Sequence, residues 1–126
     1  MARILVIDDE EPIRYLLRVA LENNGHEVIE AAGGQDALKL QAASPAELVI
    51  TDINMPDKDG LEVMLALRRE TPRPRMIVMT GGGGALSDRS LHMARLMGAC
   101  ALLQKPFSLG DMVAAVESAL RGEAAA

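Results

Sequence analysis

The chain has 126 residues, 49% of them hydrophobic, and a formal net charge of −5 at pH 7. This length is near the commonest size of a single domain, and the apolar fraction is enough to bury a full core. The negative charge argues against nucleic acid or an anionic membrane surface as the primary partner. The single cysteine, Cys100, excludes an intrachain disulfide, and its apolar neighbours favour a buried, inert thiol.

Short apolar runs alternate along the chain with longer stretches of helical period. In chain order the predicted elements are a strand at 4–7, a helix at 12–24, a strand at 27–31, a helix at 35–43, a strand at 48–51, a helix at 61–70, a strand at 76–79, a helix at 88–97, a strand at 101–103 and a helix from 108 to about 121. This alternation, with no internal repeat or linker, predicts an α/β doubly wound fold. We expect a five-stranded parallel sheet with helices on both faces.

The first predicted helix carries several apolar residues. We expect one stripe of them to face the core: Tyr15, Leu16, Val19 and Ala20. At the N-terminus the apolar run is too short for a signal peptide, and no run of the sequence approaches transmembrane length. We therefore expect a soluble cytoplasmic protein.

Acidic residues follow two of the predicted strands. Asp8 and Asp9 come after the first strand, and Asp52 comes after the third. In a doubly wound sheet of order 2-1-3-4-5 these two strands are neighbours, and their carboxyl ends meet at the switch point. Two like charges about 4 Å apart repel by roughly 4 kcal/mol at an effective dielectric constant near 20. Such a cluster needs a proton or a cation to offset its charge, and hard oxygen ligands favour Mg²⁺.

These acidic residues also have purely structural interpretations. Asp52 can cap the turn that follows it, as aspartate often does. Glu10 and Glu11, which follow Asp8 and Asp9, are typical of a solvated helix N-terminus stabilised by the helix dipole.

Two further strand ends carry polar groups, because Thr80 follows the fourth strand and Lys105 follows the fifth. An aspartate, a divalent cation, a lysine and a hydroxyl together suit the transfer of a phosphoryl group. The aspartate is the nucleophile, the cations offset charge on the oxygens, and the hydroxyl donates a hydrogen bond. Taken singly, Thr80 could be a strand-end hydroxyl and Lys105 a surface charge.

Four motifs in this order make the chain similar to the receiver domains of two-component response regulators. They are Ile7-Asp8-Asp9, the stretch 52–60 (Asp-Ile-Asn-Met-Pro-Asp-Lys-Asp-Gly), Met79-Thr80-Gly81 and Lys105-Pro106-Phe107. The resemblance runs from Arg3 to about Arg121. It implies a flavodoxin-like (CheY-like) fold, with a receiver domain over residues 1–122, and we expect a disordered tail at 123–126.

The resemblance also implies a metal-dependent acceptor site. Asp52 would be the phosphate acceptor. Mg²⁺ would be held by side chains and one backbone carbonyl: Asp8, Asp9, Asp52 and the carbonyl of Asn54.

The same resemblance implies roles for three residues around the phosphoryl group. Thr80, Gly81 and Lys105 would bind it, Thr80 would be the switch hydroxyl, and a cis bond is expected before Pro106. Such a domain is a signalling phosphoacceptor rather than an enzyme, since it catalyses only its own phosphorylation and dephosphorylation. Its partners would be a histidine kinase or histidine phosphotransfer protein and an output protein bound through the fourth helix, fifth strand and fifth helix.

The sequence departs from the receiver pattern in two places. Leu102 stands three residues before Lys105, where receivers usually carry Tyr or Phe. Four glycines, residues 81–84, follow Thr80. We hypothesise that phosphorylation is signalled mainly by ordering of the loop at 81–87, because glycine is conformationally permissive and costly to order.

Two alternatives from other classes remain. A haloacid-dehalogenase-type phosphatase would use Asp8 as its nucleophile, but it needs an Asp-x-Asp motif where this chain has Asp8-Asp9-Glu10. A flavodoxin-like nucleotide binder has the same fold class, but the first strand-helix loop here is acidic and would repel a phosphate.

Overall fold

The structure, a computed structural model, describes residues 1–53, 60–70, 72–81 and 87–122, with side chains from His92 onward in the fourth helix. Within these ranges the chain forms five strands and five helices. In chain order they are β1 (Arg3–Ile7), α1 (Glu11–Asn23), β2 (Glu27–Ala31), α2 (Gly34–Ala43), β3 (Leu48–Asp52), α3 (Gly60–Leu67), β4 (Arg75–Thr80), α4 (Ser87–Leu96), β5 (Ala99–Gln104) and α5 (Leu109–Leu120). The predicted sequence of elements is confirmed.

The strands form one sheet in the order β2-β1-β3-β4-β5. Every neighbouring pair is parallel, so the predicted doubly wound topology is confirmed. The order places β1 and β3 side by side, with β2 and β5 at the two edges. Because the strands are parallel, the carboxyl ends of β1, β3, β4 and β5 lie side by side at the same end of the sheet.

The core has one layer on each face of the sheet. On one face the sheet packs against α1 and α5, for example through Leu17 and Val116. On the other face it packs against α2, α3 and α4, with Met64 of α3 fully buried. All five residues of β3 are buried, as expected for a central strand covered on both faces.

The face that α1 turns to the core differs from the predicted one. Tyr15, Leu16 and Val19 are exposed. The stripe that packs against the core lies on a neighbouring face of the helix. It consists of Ile13, Leu17, Ala20 and Leu21. Seven apolar residues between 13 and 21 support two stripes of equal helical period, and packing against α5 and the sheet selects one of them.

Two turns follow the local signals in the sequence. Gly25 has φ of +86° after α1, a conformation that glycine adopts without strain. Ser108 caps α5, where its hydroxyl oxygen accepts a 2.9 Å hydrogen bond from the Asp111 N–H.

The side chain of Cys100 is half-buried, whereas the sequence predicted a fully buried thiol. Among the described residues, no helix is both long enough and apolar enough to cross a bilayer.

Candidate functional site

Asp8 lies immediately after β1 and is fully buried. Its Oδ1 accepts a 2.8 Å hydrogen bond from the Glu10 N–H. Its main-chain N–H donates to Ala31 at 3.2 Å, and its carbonyl accepts a 2.7 Å bond from the Arg14 guanidinium. The end of β1 is therefore held from both β2 and α1, which fixes the direction of the Asp8 carboxylate.

Asp52 is the last residue of β3 and is 6% exposed. It pairs in register with Met79 of β4, and the next N–H, of Ile53, donates to the Met79 carbonyl at 3.0 Å. Gly60 packs against this strand end from behind. A Cβ at Gly60 would overlap the Asp52 carbonyl oxygen and lie 2.8 Å from Ile53 Cα, so only glycine permits this close approach.

Lys105 joins the two buried aspartates. Its Nζ lies 2.8 Å from Asp8 Oδ2 and 3.0 Å from Asp52 Oδ2. Burial by itself lowers the pKa of Lys105, but hydrogen bonds and charge attraction to Asp8 and Asp52 outweigh it and raise that pKa above its ordinary value. The ammonium therefore stays charged between the two carboxylates. The Lys105–Pro106 peptide bond is cis, as the resemblance implied.

The predicted acidic cluster forms at the carboxyl ends of β1 and β3. Ligand oxygens of Asp8, Asp9 and Asp52 all lie within 4.8 Å of one another. Asp9 is exposed and the other two are buried, so the cluster opens to solvent on one side. Three hard carboxylates at this spacing fit a small divalent cation such as Mg²⁺. Asn54, the expected carbonyl ligand, lies outside the described residues.

Thr80 and Leu102 occupy the neighbouring strand ends. Thr80 closes β4 as a buried residue, and its carbonyl accepts a 2.7 Å hydrogen bond from the Lys105 N–H. Leu102 is half-buried on the face covered by α2, α3 and α4 and pairs in register with Val78. It thus fills the position of the usual aromatic with an aliphatic side chain.

Gly81 follows Thr80 directly and is exposed. A Cβ there would meet nothing within 4 Å, and its φ is outside the left-handed region. The structure therefore shows no backbone angle or close approach that requires glycine at position 81. Residues 82–86, which carry the rest of the loop hypothesis, lie outside the described residues, so that hypothesis stays a prediction.

Glu10 belongs to the site although the sequence favoured a solvated helix N-terminus. Its side chain is 60% exposed, and its Oε2 lies 3.6 Å from Lys105 Nζ. Glu10 is also the N-cap residue of α1, but its side chain makes no capping hydrogen bond. The available signal was its place directly after two predicted site acids.

An apolar groove of about 460 Å³ begins beside Lys105 and runs along α1. Its lining is apolar apart from Lys105: Ile13, Leu16, Leu17, Pro106, Phe107 and Leu109. Leu16 and Leu109 are exposed. Leu16, from the stripe predicted to be buried, thus lines a surface groove together with Lys105, whose ammonium contacts Asp8 and Asp52.

Residues 4–117 match the family described as the response regulator receiver domain. The KDP operon transcriptional regulatory protein KdpE of Escherichia coli is 36% identical over 126 residues, which cover 99% of this chain and 54% of that protein. The probable chemotaxis protein CheY of Rhizobium etli is 37% identical over 120 residues, covering 92% of this chain and 90% of that protein.

Solved structures agree with these relatives. A response regulator receiver domain protein from Clostridium thermocellum is 32% identical, with a TM-score of 0.83 and coverage of 97% of this chain and 96% of that chain. The chain spans about half the length of several of the curated relatives that it matches.

Proposed function

This chain belongs to the response regulator receiver family, and from that premise we propose that it accepts a phosphoryl group on Asp52 and then changes how it binds a partner protein. The observation that carries the proposal is the placement of Lys105 Nζ 3.0 Å from Asp52 Oδ2, beside the cluster of Asp8, Asp9 and Asp52. Receivers are signalling proteins, and we propose that the only chemistry catalysed here is self-phosphorylation and dephosphorylation. The unit that carries it is residues 1–122.

The donor is a phosphohistidine on a histidine kinase or a phosphotransfer protein. A carboxylate oxygen of Asp52 attacks phosphorus, so that an O–P bond forms as the P–N bond breaks. The bonding electron pair leaves with the imidazole nitrogen, and the product is an acyl phosphate on Asp52. Lys105 stabilises the charge on the transferred oxygens because its ammonium already lies against this carboxylate.

Other groups at the site support the same reaction. Thr80 and the Gly81 N–H stand where the fourth strand ends, and we assign them hydrogen bonds to the phosphoryl oxygens. Mg²⁺, when held by Asp8, Asp9, Asp52 and the Asn54 carbonyl, supplies positive charge against the transferring group.

The two alternative functions fit less well. A phosphatase using Asp8 needs that carboxylate to meet a substrate, yet Asp8 is fully buried and its oxygens contact Glu10 N–H and Lys105 Nζ. Asp52 is the better nucleophile because it retains some exposure. The similar proteins give no support to a phosphatase or to a flavodoxin-like nucleotide binder.

The groove along α1 is the surface that we assign to the phosphodonor. A donor histidine must come within bonding distance of Asp52, so its protein must dock next to the site. The groove is contiguous with Lys105 and presents exposed Leu16 and Leu109, which suits an apolar helix face of the donor. For the output partner we propose the face of α4, β5 and α5, where Met93 and Leu96 are exposed. A cytoplasmic location, where such kinases deliver phosphate, stays a prediction.

Incubation with acetyl phosphate and Mg²⁺ tests the central proposal. We expect one phosphoryl group per chain, located on Asp52 by mass spectrometry after borohydride reduction of the acyl phosphate. Asp52→Asn should take up none. Label on Asp8 in the wild-type chain would instead favour the phosphatase.

A further inference from the structure

Three acidic side chains surround the ammonium of Lys105, and they differ in exposure. Asp8 and Asp52 are buried and hydrogen-bonded to Nζ at 2.8 and 3.0 Å. Glu10 is the third, at 3.6 Å, and its side chain is 60% exposed. Lys105 therefore has two inner partners and one outer partner at the mouth of the site.

The side chain of Glu10 contacts Lys105 and does not cap helix α1. As N-cap residue of α1 it has extended backbone angles, but its side chain makes no capping hydrogen bond. Its main-chain N–H holds Asp8 Oδ1 at 2.8 Å. One residue thus fixes an inner partner of Lys105 through its main chain and supplies the outer partner through its side chain.

Phosphorylation changes which partners Lys105 has. Once Asp52 carries a phosphoryl group, the negative oxygens lie further out than the former carboxylate oxygen. To follow them, the ammonium must loosen its contact with Asp8. Among the three carboxylates, that of Glu10 is the one on the outward side, and its attraction lowers the free energy of that movement.

We propose that Glu10 is a positioning residue for phosphoryl transfer, which receives the Lys105 ammonium as it leaves Asp8 and holds it against the transferring group. This inference rests on the proposed function of Asp52. Glu10 acts only through Lys105 and does not itself contact the phosphoryl group.

The test is the rate of Asp52 phosphorylation by acetyl phosphate at saturating Mg²⁺. Glu10→Gln should slow the reaction about threefold to fivefold, the effect of one largely exposed ion pair. Glu11→Gln is the matched control, because Glu11 is the next exposed acid in the sequence and the structure gives it no contact with Lys105. It should leave the rate unchanged or raise it slightly, since an anionic donor is then repelled less.

Two further variants separate positioning from other effects. Glu10→Ser introduces a preferred N-cap residue, so it should slow phosphorylation as much as Glu10→Gln while keeping or raising the melting temperature. In a Lys105→Met background, Glu10→Gln should change the rate by less than about twofold, which is roughly the limit within which independent mutations add in a double-mutant cycle.

The outcomes are distinct. An equal slowing by Glu10→Gln with and without Lys105, or a faster reaction in Glu10→Gln, would overturn the positioning role and leave Asp52 as the acceptor. Recovery of the wild-type rate in Glu10→Ser would assign the effect to the helix cap instead. A wild-type chain that takes up no phosphate on Asp52 overturns the proposed function, and this inference with it.

Discussion

The main-chain N–H of Lys105 donates a 2.7 Å hydrogen bond to the carbonyl oxygen of Thr80. This bond joins the ends of β4 and β5 without using either side chain. The Lys105 side chain can therefore be replaced while the strand ends stay joined, and its charge can be tested separately from its backbone.

Lys105→Met should destabilise the fold at pH 7 because Asp8 and Asp52 then lack their shared cation. We expect the free energy of unfolding to fall by about 1–3 kcal/mol. This is less than the roughly 3–5 kcal/mol lost when one partner of a fully buried ion pair is removed, because Lys105 is partly exposed. Mg²⁺ should restore more stability to this variant than to the wild type. Denaturant melts with and without MgCl₂ measure both effects, and identical Mg²⁺ increments in the two chains would contradict the role of Lys105 as counter-ion.

Mg²⁺ should stabilise the wild-type chain, because the acidic cluster that we propose as its site is assembled in the folded state only. At about a hundredfold excess over its dissociation constant the gain is ~2.7 kcal/mol, visible as a rise of several degrees in Tm. Asp9→Ala should remove the increment with little effect on the metal-free Tm, since Asp9 is exposed. An undiminished Mg²⁺ response in Asp9→Ala would place the metal elsewhere.

Gly60→Ala should destabilise the chain and impair phosphate uptake. The added Cβ would overlap the Asp52 carbonyl and come within 2.8 Å of Ile53 Cα, so the backbone that carries Asp52 must shift, at a cost of about 1–3 kcal/mol. Gly110→Ala is the control, because its Cβ would meet only Ser108 Oγ at 3.9 Å. Thermal melts of both variants decide the point, and equal Tm values would count against the close packing.

Glu30 provides the pH-dependent prediction. Hydrogen bonds from Arg18, opposed by partial burial and reinforced by Arg14, lower the pKa of Glu30 below its ordinary 4.5. A carboxylate whose pKa is lowered in the folded state stabilises the fold at pH values above its ordinary pKa. This stabilisation is lost as the pH falls through the lowered pKa. Glu30→Gln should reduce Tm by about 1–3 °C at pH 7, as for a surface ion pair. The difference should shrink as the pH falls below 4.5, and a constant difference down to acid pH would contradict the assignment.

The donor groove can be tested with two leucines of matched exposure. Leu16 on α1 is 49% exposed and Leu65 on α3 is 50% exposed, but only Leu16 lines the groove beside Lys105. We use a histidine kinase that phosphorylates the wild-type chain. With this kinase as the donor, Leu16→Ala should make phosphoryl transfer roughly tenfold slower, as for the loss of a moderate interface contact. Leu65→Ala should not. Phosphorylation by acetyl phosphate should be unaffected in both, because a small donor needs no docking surface.

The sequence predicted the strand order and the meeting of Asp8, Asp52 and Lys105, because each follows a clear apolar run and parallel strands bring their carboxyl ends together. It predicted the wrong stripe of α1, since the helical period fits both stripes and only packing against α5 and the sheet distinguishes them. The contact between Glu10 and Lys105 was also missed. It joins residues 95 positions apart, both outside the regular elements, where periodicity carries no information about side-chain direction.

The strand order also bears on how the chain is built during synthesis. β2, β1 and β3 are neighbours in the sheet, so the ribosome releases a set of strands that can pair before β4 and β5 exist. That early unit already brings Asp8 and Asp52 to the ends of adjacent strands, but Lys105 follows Asp52 by 53 residues. The nascent unit therefore carries two neighbouring carboxylates without the ammonium that offsets part of their charge, and that ammonium arrives only when the last strand joins the sheet.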